Sequence, residues 1–328
     1  MSARILFVCD AGPAVGGGHV MRSLTLAGAL TQAGATCAFL ARPAVEAVLD
    51  AFAPDTPRTT ATEPFDAVVF DHYGLAAPDH RACAKGRPTL VIDDLANRPL
   101  EADLVLDSGP ARKPEDYAGL VPPLATLLLG PHNAPVRLAF PALRDQALAR
   151  RATGGRVKRI LISLGLTDVG GITGRVADLL LPRIDDIMLD VVLGDGAPSL
   201  PRLRAIREPR LVLHVDSQAM PQLTLAADLA VGAGGSTSWE RCVLALPTLT
   251  LILADNQIAA ATALAAAGAS PCLPVAAPDF DAAFGREIDR LITDPDRRAA
   301  LSKATAQICD GGGAARVAAA FLERIPGG

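Results

Sequence analysis

Short apolar runs separated by alanine-rich stretches dominate the hydrophobic pattern of the first half of the chain. The runs predict strands at residues 5–9, 37–40, 67–70, 90–92, 104–106 and 126–129. Between them, apolar residues recur at helical spacing, as in 23–33 and 45–51. Continuous apolar strands that alternate with helices are typical of a parallel sheet covered on both faces. The pattern therefore predicts a doubly wound, Rossmann-like α/β domain over residues 1–140.

An arginine-rich stretch at 141–156, which ends in Thr153-Gly154-Gly155, interrupts this alternation and predicts a helical linker. The alternation then resumes, with strands predicted at 159–164, 188–193, 211–215, 228–231 and 248–253 and closing helices around 284–292 and 314–325. We therefore expect a second Rossmann-like domain over 157–328, with a ligand cleft between the two domains.

Length and charge narrow the function. A chain of 328 residues is long enough for two domains. Its 31 Lys and Arg against 35 Asp and Glu give a formal charge of −4, which argues against nucleic acid or an anionic membrane as a partner. No segment approaches the roughly 18 apolar residues that span a bilayer, and the N-terminus leads directly into a strand. We expect a monomeric, cytoplasmic protein that binds a small molecule.

The cysteines are scattered and form no metal-ligand spacing. They are Cys9, Cys37, Cys83, Cys242, Cys272 and Cys309. Without a CxxC or a Cys/His pattern, neither zinc nor a disulfide framework is indicated. We expect reduced thiols, no metal and no cofactor.

A glycine-rich loop, Gly16-Gly17-Gly18-His19-Val20-Met21-Arg22, follows the first predicted strand and opens a helix that Gly34 is expected to end. Glycines let a backbone approach a ligand, and a helix start offers free N–H groups to an anion. The positive helix end disfavours an imidazolium, so His19 is expected to be neutral and able to accept a proton. His19 is thus a candidate general base. The alternative is a histidine that merely closes the first helical turn.

Polar clusters follow two other strands, Asp71-His72-Tyr73-Gly74 and Asp93-Asp94. Ligands of open α/β sheets bind beyond the carboxyl ends of the strands, where His19 is also expected. Alternatively, Asp71 and Asp94 cap helices or fix turns, and Tyr73 covers the sheet edge. The isolated His80, His132 and His214 are interpreted as structural.

A second glycine loop, Gly232-Ala233-Gly234-Gly235-Ser236-Thr237, lies in the second domain and leads into Ser238-Trp239-Glu240. Its N–H and hydroxyl donors predict an anion site. Glu240 is expected to hold a ribose diol. Alternatively, Thr237 and Glu240 form a capping box, in which Glu240 accepts from the cap amide.

The motifs taken together resemble a known family. They are, in order, Gly18-His19 with Arg22, Asp71-His72-Tyr73-Gly74, Asp93-Asp94, Gly165-Leu166-Thr167-Asp168, Gly234-Gly235-Ser236-Thr237 with Trp239-Glu240, and Asn256-Gln257. This order resembles the UDP-2,4-diacetamido-2,4,6-trideoxy-β-L-altropyranose hydrolases of pseudaminic acid biosynthesis, over nearly the whole chain. The second-domain motif alone is also similar to that of lipid-II-forming N-acetylglucosaminyltransferases and other GT-B enzymes.

The resemblance implies a GT-B architecture and a UDP-sugar substrate. It implies that His19 activates water for inverting attack at the anomeric carbon, and that Asp71 and Tyr73 line the sugar and water site. It implies substrate binding by Gly17, Gly18, Arg22, Asp94, Gly165, Thr167, Asp168, Met220, Gly235, Ser236, Thr237, Glu240, Asn256 and Gln257. Ser236, Thr237 and Glu240 would hold diphosphate and ribose, with uracil near Met220. One departure is Leu166, where the family pattern has glycine.

Three other functions fit parts of this pattern. A UDP-sugar glycosyltransferase would use His19 to deprotonate an acceptor hydroxyl. A non-catalytic nucleotide-sugar binding protein would keep the second glycine loop without needing His19. A hydrolysing 2-epimerase would need further carboxylates, for which Asp93-Asp94 is the candidate pair.

Overall fold

The computed structural model describes residues 2–12, 15–60 and 64–326. The chain divides into two compact units. The first unit contains the chain up to Arg137 together with the segment from Gly311 onward, and the second unit is Leu138–Asp310.

The first unit is built on a seven-stranded parallel sheet in the order β3-β2-β1-β4-β5-β6-β7. Its strands are β1 (Arg4–Cys9), β2 (Thr36–Leu40), β3 (Arg58–Thr59), β4 (Ala67–Asp71), β5 (Thr89–Ile92), β6 (Leu104–Asp107) and β7 (Thr126–Leu129). Its α-helices are α1 (Gly18–Gln32), α2 (Pro43–Phe52), α3 (Ala77–Ala84) and, from the end of the chain, α12 (Gly313–Leu322). Short 3₁₀ turns lie at Pro114–Tyr117 and Pro131–Asn133.

The second unit has a six-stranded parallel sheet in the order β10-β9-β8-β11-β12-β13. Its strands are β8 (Arg159–Ser163), β9 (Met188–Leu193), β10 (Leu211–Val215), β11 (Leu229–Ala233), β12 (Thr248–Ile252) and β13 (Cys272–Pro274). Its α-helices are α4 (Arg144–Ala152), α5 (Ile172–Leu180), α6 (Leu200–Ala205), α7 (Met220–Ala226), α8 (Thr237–Val243), α9 (Ile258–Ala266), α10 (Phe280–Thr293) and α11 (Pro295–Ala306). Its 3₁₀ turns are Pro141–Leu143, Val169–Gly171, Leu181–Arg183 and Asp255–Gln257.

Both faces of the first sheet are buried, as its continuous apolar strands predict. Ile5 and Phe7 of β1 belong to a core that also contains residues of α1 and α12, whereas Leu6 and Val8 belong to the core on the opposite face. This alternation follows from the two-residue period of a strand. The predicted architecture of two Rossmann-like, doubly wound domains is confirmed.

Strand order reverses once in each sheet, between β1 and β4 in the first unit and between β8 and β11 in the second. Cys9 pairs with Asp71 across the first of these boundaries, and Ser163 pairs with Gly232 across the second. Ligands of such sheets bind beyond the carboxyl ends of the strands at this boundary. The loops that follow β1 and β11 are the two glycine loops of the sequence.

The observed division of the chain differs from the expected domain boundaries at two places. Residues from 311 onward pack with the first unit, because Val317, Phe321 and Ile325 are buried in the core that α1 covers. The stretch expected to be a linker belongs to the second unit, where Ala147 is buried and Arg151 donates to the Ala227 carbonyl at 2.6 Å.

Other expectations have simple outcomes. Gly34 ends α1 as predicted, with φ +96°, and the Ala35 N–H donates to the Leu30 carbonyl at 3.0 Å. All six cysteines are free thiols. Within the described ranges, no helix is long and apolar enough to cross a membrane.

Candidate active site

His19 lies in the first turn of α1, close to the strand-order reversal of the first sheet. The glycines before it give the loop its conformation: Gly16 has φ +71°, Gly17 is the N-cap residue and Gly18 is the first helical residue. The His19 side chain is 6% exposed, and its ring stands edge-on to Tyr73, with centroids 4.4 Å apart.

The carboxylate of Asp71, at the end of β4, is the hydrogen-bond partner of His19. Asp71 Oδ1 lies 2.5 Å from His19 Nδ1. The same carboxylate accepts from Arg22 Nε at 2.6 Å and from Ser23 Oγ at 3.3 Å. Burial alone would raise the pKa of Asp71, but the Arg22 guanidinium and then His19 hold it well below its ordinary value. Asp71 is therefore a permanent acceptor.

This partner assigns the tautomer of His19. A carboxylate only accepts hydrogen bonds, so in the neutral imidazole the proton sits on Nδ1 and points at Asp71. Arg22 Nη2 also lies 3.2 Å from Nδ1, but it donates to Asp71 Oδ1 at 2.6 Å instead. Nε2 keeps its lone pair and bonds to none of the described residues. The arrangement is that of a histidine general base oriented by an aspartate.

Arg22 links this pair to the rim of β5. Its Nη1 donates to both oxygens of Asp94 at 2.9 Å, while Nε and Nη2 hold Asp71. The Tyr73 hydroxyl donates to Asp94 Oδ2 at 2.6 Å. We call His19, Arg22, Asp71, Tyr73 and Asp94 the histidine cluster. Its hydrogen bonds form a chain that runs from Tyr73 through Asp94, Arg22 and Asp71 to His19.

The expected role of Asp71 does not fit its position. We expected it to line the sugar and water site, but it has no exposed surface. Its contact with His19 is the route by which it can influence a ligand. Neither Asp71 nor Asp94 caps a helix, because both carboxylates bind Arg22.

Asp93, the neighbour of Asp94, is a structural residue. It is fully buried and accepts from the Ala96 N–H at 2.8 Å, from Arg98 Nη1 at 2.7 Å and from the Tyr117 hydroxyl at 2.9 Å. These bonds fix the turn after β5, a role that we considered from the sequence for Asp94 rather than for Asp93. Asp93 is therefore not an available second carboxylate for epimerase chemistry.

Polar residues that the sequence reasoning missed also lie at this rim. Ser23, one turn after His19, donates to Asp71, and its i+4 spacing was a usable signal. Arg42 follows β2 and its Nη1 lies 3.2 Å from His72 Nε2. Asp10 follows β1, with Oδ2 3.5 Å from His72 Nδ1. Arg42 and Asp10 both follow the carboxyl end of a strand, where ligands of open α/β sheets bind, so their positions in the sequence were a usable signal.

In the second unit, the glycines of the loop 232–237, hereafter the glycine loop, serve different purposes. A Cβ on Gly232 would lie 2.4 Å from Arg241 Cζ, and one on Gly234 would lie 3.2 Å from Gln257 Cβ. Nothing lies within 4 Å of a Cβ on Gly235. Gly232 and Gly234 thus allow close packing, and Gly235 alone leaves its backbone open to a ligand.

The start of α8 bears on the two interpretations of Glu240. The helix begins at Thr237, and Ser236 is the N-cap residue without a side-chain cap bond. In this register Thr237 is the first helical residue rather than the cap that the capping box requires. Glu240 is 9% exposed. The register does not fit the capping box, and ribose binding by Glu240 stays a prediction.

The loop after β8 is held by Asp168. This residue has no exposed surface, and its carboxylate accepts from the backbone N–H of Thr173 at 2.8 Å and of Ser199 at 2.9 Å. Asp168 therefore shapes the loop rather than offering oxygens to a ligand. Gly165, with φ +107°, and Thr167 are exposed on the same loop.

The remaining candidates of the second unit lie on two further loops. Asn256 is exposed in the 3₁₀ turn after β12, while Gln257 Oε1 accepts from the Leu253 N–H at 3.0 Å. The packing of Gln257 against Gly234 places this turn beside the glycine loop. Met220 is the partly buried first residue of α7, which follows the edge strand β10.

Within the described ranges, no group of three or more His, Cys, Asp and Glu side chains is arranged to hold a metal ion.

The chain is similar in sequence to curated proteins. No family model matches the chain. The chain is 23% identical over 279 residues, covering 81% of this chain and 97% of its relative, to the UDP-2,4-diacetamido-2,4,6-trideoxy-beta-L-altropyranose hydrolase of Campylobacter jejuni. It is 27% identical over 195 residues to the spore coat polysaccharide biosynthesis protein SpsG of Bacillus subtilis, covering 58% of this chain and about half (56%) of that protein. The family resemblance stated from the motifs is confirmed.

Solved structures show the same fold. MurG of Acinetobacter baumannii superposes with a TM-score of 0.69 at 17% identity, covering 98% of this chain and 99% of that chain. The spinosyn rhamnosyltransferase SpnG, in complex with thymidine diphosphate, superposes with a TM-score of 0.66 at 17% identity, covering 98% and 99%. At these identities the likeness shows the fold, which is the predicted GT-B-like architecture.

Proposed function

We propose that the chain is an enzyme that hydrolyses UDP-2,4-diacetamido-2,4,6-trideoxy-β-L-altropyranose to UDP and the free sugar, as in pseudaminic acid biosynthesis. The observation that carries the proposal is the hydrogen bond between His19 Nδ1 and Asp71, which leaves Nε2 as a base. The resemblance to the hydrolase of C. jejuni, along nearly the whole of that relative, supports the substrate.

The reaction is a single displacement. His19 Nε2 takes a proton from water as the water oxygen forms a bond to the anomeric carbon, and the bond from that carbon to the phosphate oxygen breaks. UDP leaves with the bonding electrons, and the anomeric configuration inverts. The Asp71 carboxylate stabilises the imidazolium that forms, while the roughly perpendicular ring of Tyr73 packs against the imidazole. Gly17, Gly18, Arg22 and Asp94 shape the sugar end, Arg22 by holding both carboxylates.

The nucleotide is assigned to the second unit. Gly235, Ser236 and Thr237 would bind diphosphate through N–H and hydroxyl donors, which stabilise the charge of departing UDP without a metal. Glu240 would bind ribose, Met220 would lie near uracil, and Asn256 and Gln257 would reach the phosphate and sugar. Gly165 and Thr167 would contribute an exposed loop that Asp168 holds in shape.

A glycosyltransferase is the second candidate, because the solved structure of SpnG, a rhamnosyltransferase, has the same fold. In that function Nε2 would deprotonate an acceptor hydroxyl. The two functions differ in a single requirement, since only the hydrolase turns over with water as the sole acceptor.

The decisive experiment measures UDP release from the diacetamido-trideoxy-altrose nucleotide in buffer, with UDP-N-acetylglucosamine as the control substrate. We expect release from the first compound alone, no effect of EDTA, and loss of release in His19→Gln with UDP binding retained. Binding without release would indicate a transferase or a binding protein. Undiminished release in His19→Gln would remove His19 as the base.

A further inference from the structure

Arg241 is a buried cation in contact with the glycine loop. It is 5% exposed. Its Nη2 donates to the Ala233 carbonyl at 2.7 Å and to Ser238 Oγ at 3.0 Å, and its Nη1 donates to Thr237 Oγ1 at 3.1 Å. All of these acceptors are neutral, and its guanidinium forms no salt bridge with any acidic side chain in the described part of the chain.

The loop is shaped around this guanidinium. Any side chain at Gly232 would displace it, since a Cβ there would lie 2.4 Å from Arg241 Cζ. Burial lowers the pKa of Arg241 to about 10, so the group is still charged at neutral pH. The charge of nearby Glu240 opposes this effect, but its carboxylate forms no salt bridge with Arg241, and a buried charge without a directly paired carboxylate is unfavourable. An anion bound on the loop would supply further negative charge.

The contact with Thr237 also directs a hydroxyl proton. Because Thr237 Oγ1 accepts from Arg241, its own proton is turned towards another acceptor, and it donates to none of the described residues. Thr237 is partly exposed. The exposed Ser236 hydroxyl next to it likewise bonds to none of the described residues. Two hydroxyl donors of the loop are thus available to a ligand.

We propose that Arg241 is a positioning residue of the nucleotide site. It turns the Thr237 hydroxyl outward as a donor, and its buried charge makes the loop prefer a nucleoside diphosphate to the uncharged nucleoside. This inference rests on the proposed function, which places UDP on the glycine loop. It adds the residue that makes the loop selective for phosphate charge.

The test is calorimetric titration of the full chain with uridine, UMP and UDP. Arg241→Gln keeps hydrogen-bonding capacity and removes the charge. We expect it to weaken UDP binding roughly tenfold or more, UMP binding less, and uridine binding by less than about twofold. Arg241→Lys should restore most of the UDP affinity, and the wild-type preference for UDP should shrink as salt is added.

Arg298 offers a matched control. It is also buried and donates to neutral carbonyls, those of Leu291 and Gly155 among them. Gly155 precedes β8, so this arginine lies at the amino ends of the strands, whereas the glycine loop lies at their carboxyl ends. Arg298→Gln should leave the affinities for all three nucleotides unchanged, whatever it does to stability.

Two results would overturn the inference: a folded Arg241→Gln that binds UDP like the wild type, or one that loses uridine and UDP affinity equally. If Arg241→Gln does not fold, Thr237→Val decides, since unchanged UDP affinity in that variant contradicts the directed hydroxyl. These results leave the proposed function standing. A wild-type protein that binds none of the three nucleotides would defeat the proposed function and this inference with it.

Discussion

Asp71 accepts the hydrogen bond of His19 Nδ1 at 2.5 Å from a position with no exposed surface. The aspartate therefore has no surface for a ligand to contact, and in the proposed reaction it acts only through the imidazole. Its ionised state is secured by Arg22, which Asp94 anchors from the neighbouring strand end.

Replacing Asp71 by Asn should lower turnover by roughly 10³–10⁴-fold, because an amide can donate to Nδ1 and so favours the wrong tautomer. UDP affinity should not change, since UDP is assigned to the second unit. The melting temperature should fall as Arg22 loses a buried partner, so rates are compared well below it. Ser23→Ala is the control, because it removes only the 3.3 Å bond to the same carboxylate. Turnover of Asp71→Asn close to that of Ser23→Ala would contradict the orienting role.

Replacing Glu240 by Gln tests whether this residue binds ribose. If the Glu240 carboxylate accepts hydrogen bonds from both ribose hydroxyls, its replacement by an amide should weaken UDP binding by about 1–3 kcal/mol. The melting temperature should change little. The matched measurement is the affinity for 2′,3′-dideoxy-UDP, which should be equal for variant and wild type. A lower melting temperature with unchanged UDP affinity would instead identify Glu240 as a helix cap.

The sequence predicts the sheets and the place of the site, but not which side chains face it. Rossmann strands are recognisable because burial on both faces requires continuous apolar runs, and the carboxyl-end rule brings His19, Asp71 and Asp94 together. Asp93 and Asp94 look equivalent in the sequence. Their opposite orientations depend on Tyr117, 24 residues beyond Asp93, which binds the buried carboxylate.

Two further features depend on long-range packing. The amphipathic pattern of α12 predicts a helix, but it does not show whether the helix packs on the first unit or on the second. The structure places Phe321 in the core of the first unit. The buried Arg241 reads locally as an ordinary helix residue beside Glu240. Its position is visible only once Gly232 and the glycine loop are folded around it.

His80 should make stability depend on pH between about 4 and 6.5. The ring is fully buried against Phe70, with Nε2 unpartnered, and burial, followed by the charge of Arg98, lowers its pKa to about 4. The unfolded chain binds a proton at His80 in this range and the folded chain does not, so stability rises with pH. The free energy of unfolding should therefore fall by about 3 kcal/mol from pH 7 to pH 4 through this residue alone.

The measurement is urea unfolding at several pH values for the wild type and His80→Leu. The free energy of unfolding of the wild type minus that of His80→Leu should decrease by about 3 kcal/mol from pH 7 to pH 4, because the variant lacks this proton linkage. A constant difference between His80→Leu and the wild type over this range would show that His80 does not titrate as described.

Gly313→Ala should destabilise the first unit by loosening α12. A Cβ there would lie 2.2 Å from the Ala134 carbonyl oxygen and 2.5 Å from Asn133 C, both backbone atoms that cannot move aside cheaply. We expect a loss of about 1–3 kcal/mol or more. Gly28→Ala is the matched substitution, since Gly28 lies exposed within α1 with nothing within 4 Å of the added Cβ. It should stabilise by about 0.5–1 kcal/mol. Chemical unfolding of both variants measures the contrast, and equal stabilities would mean that α12 does not pack on residues 133–134 in solution.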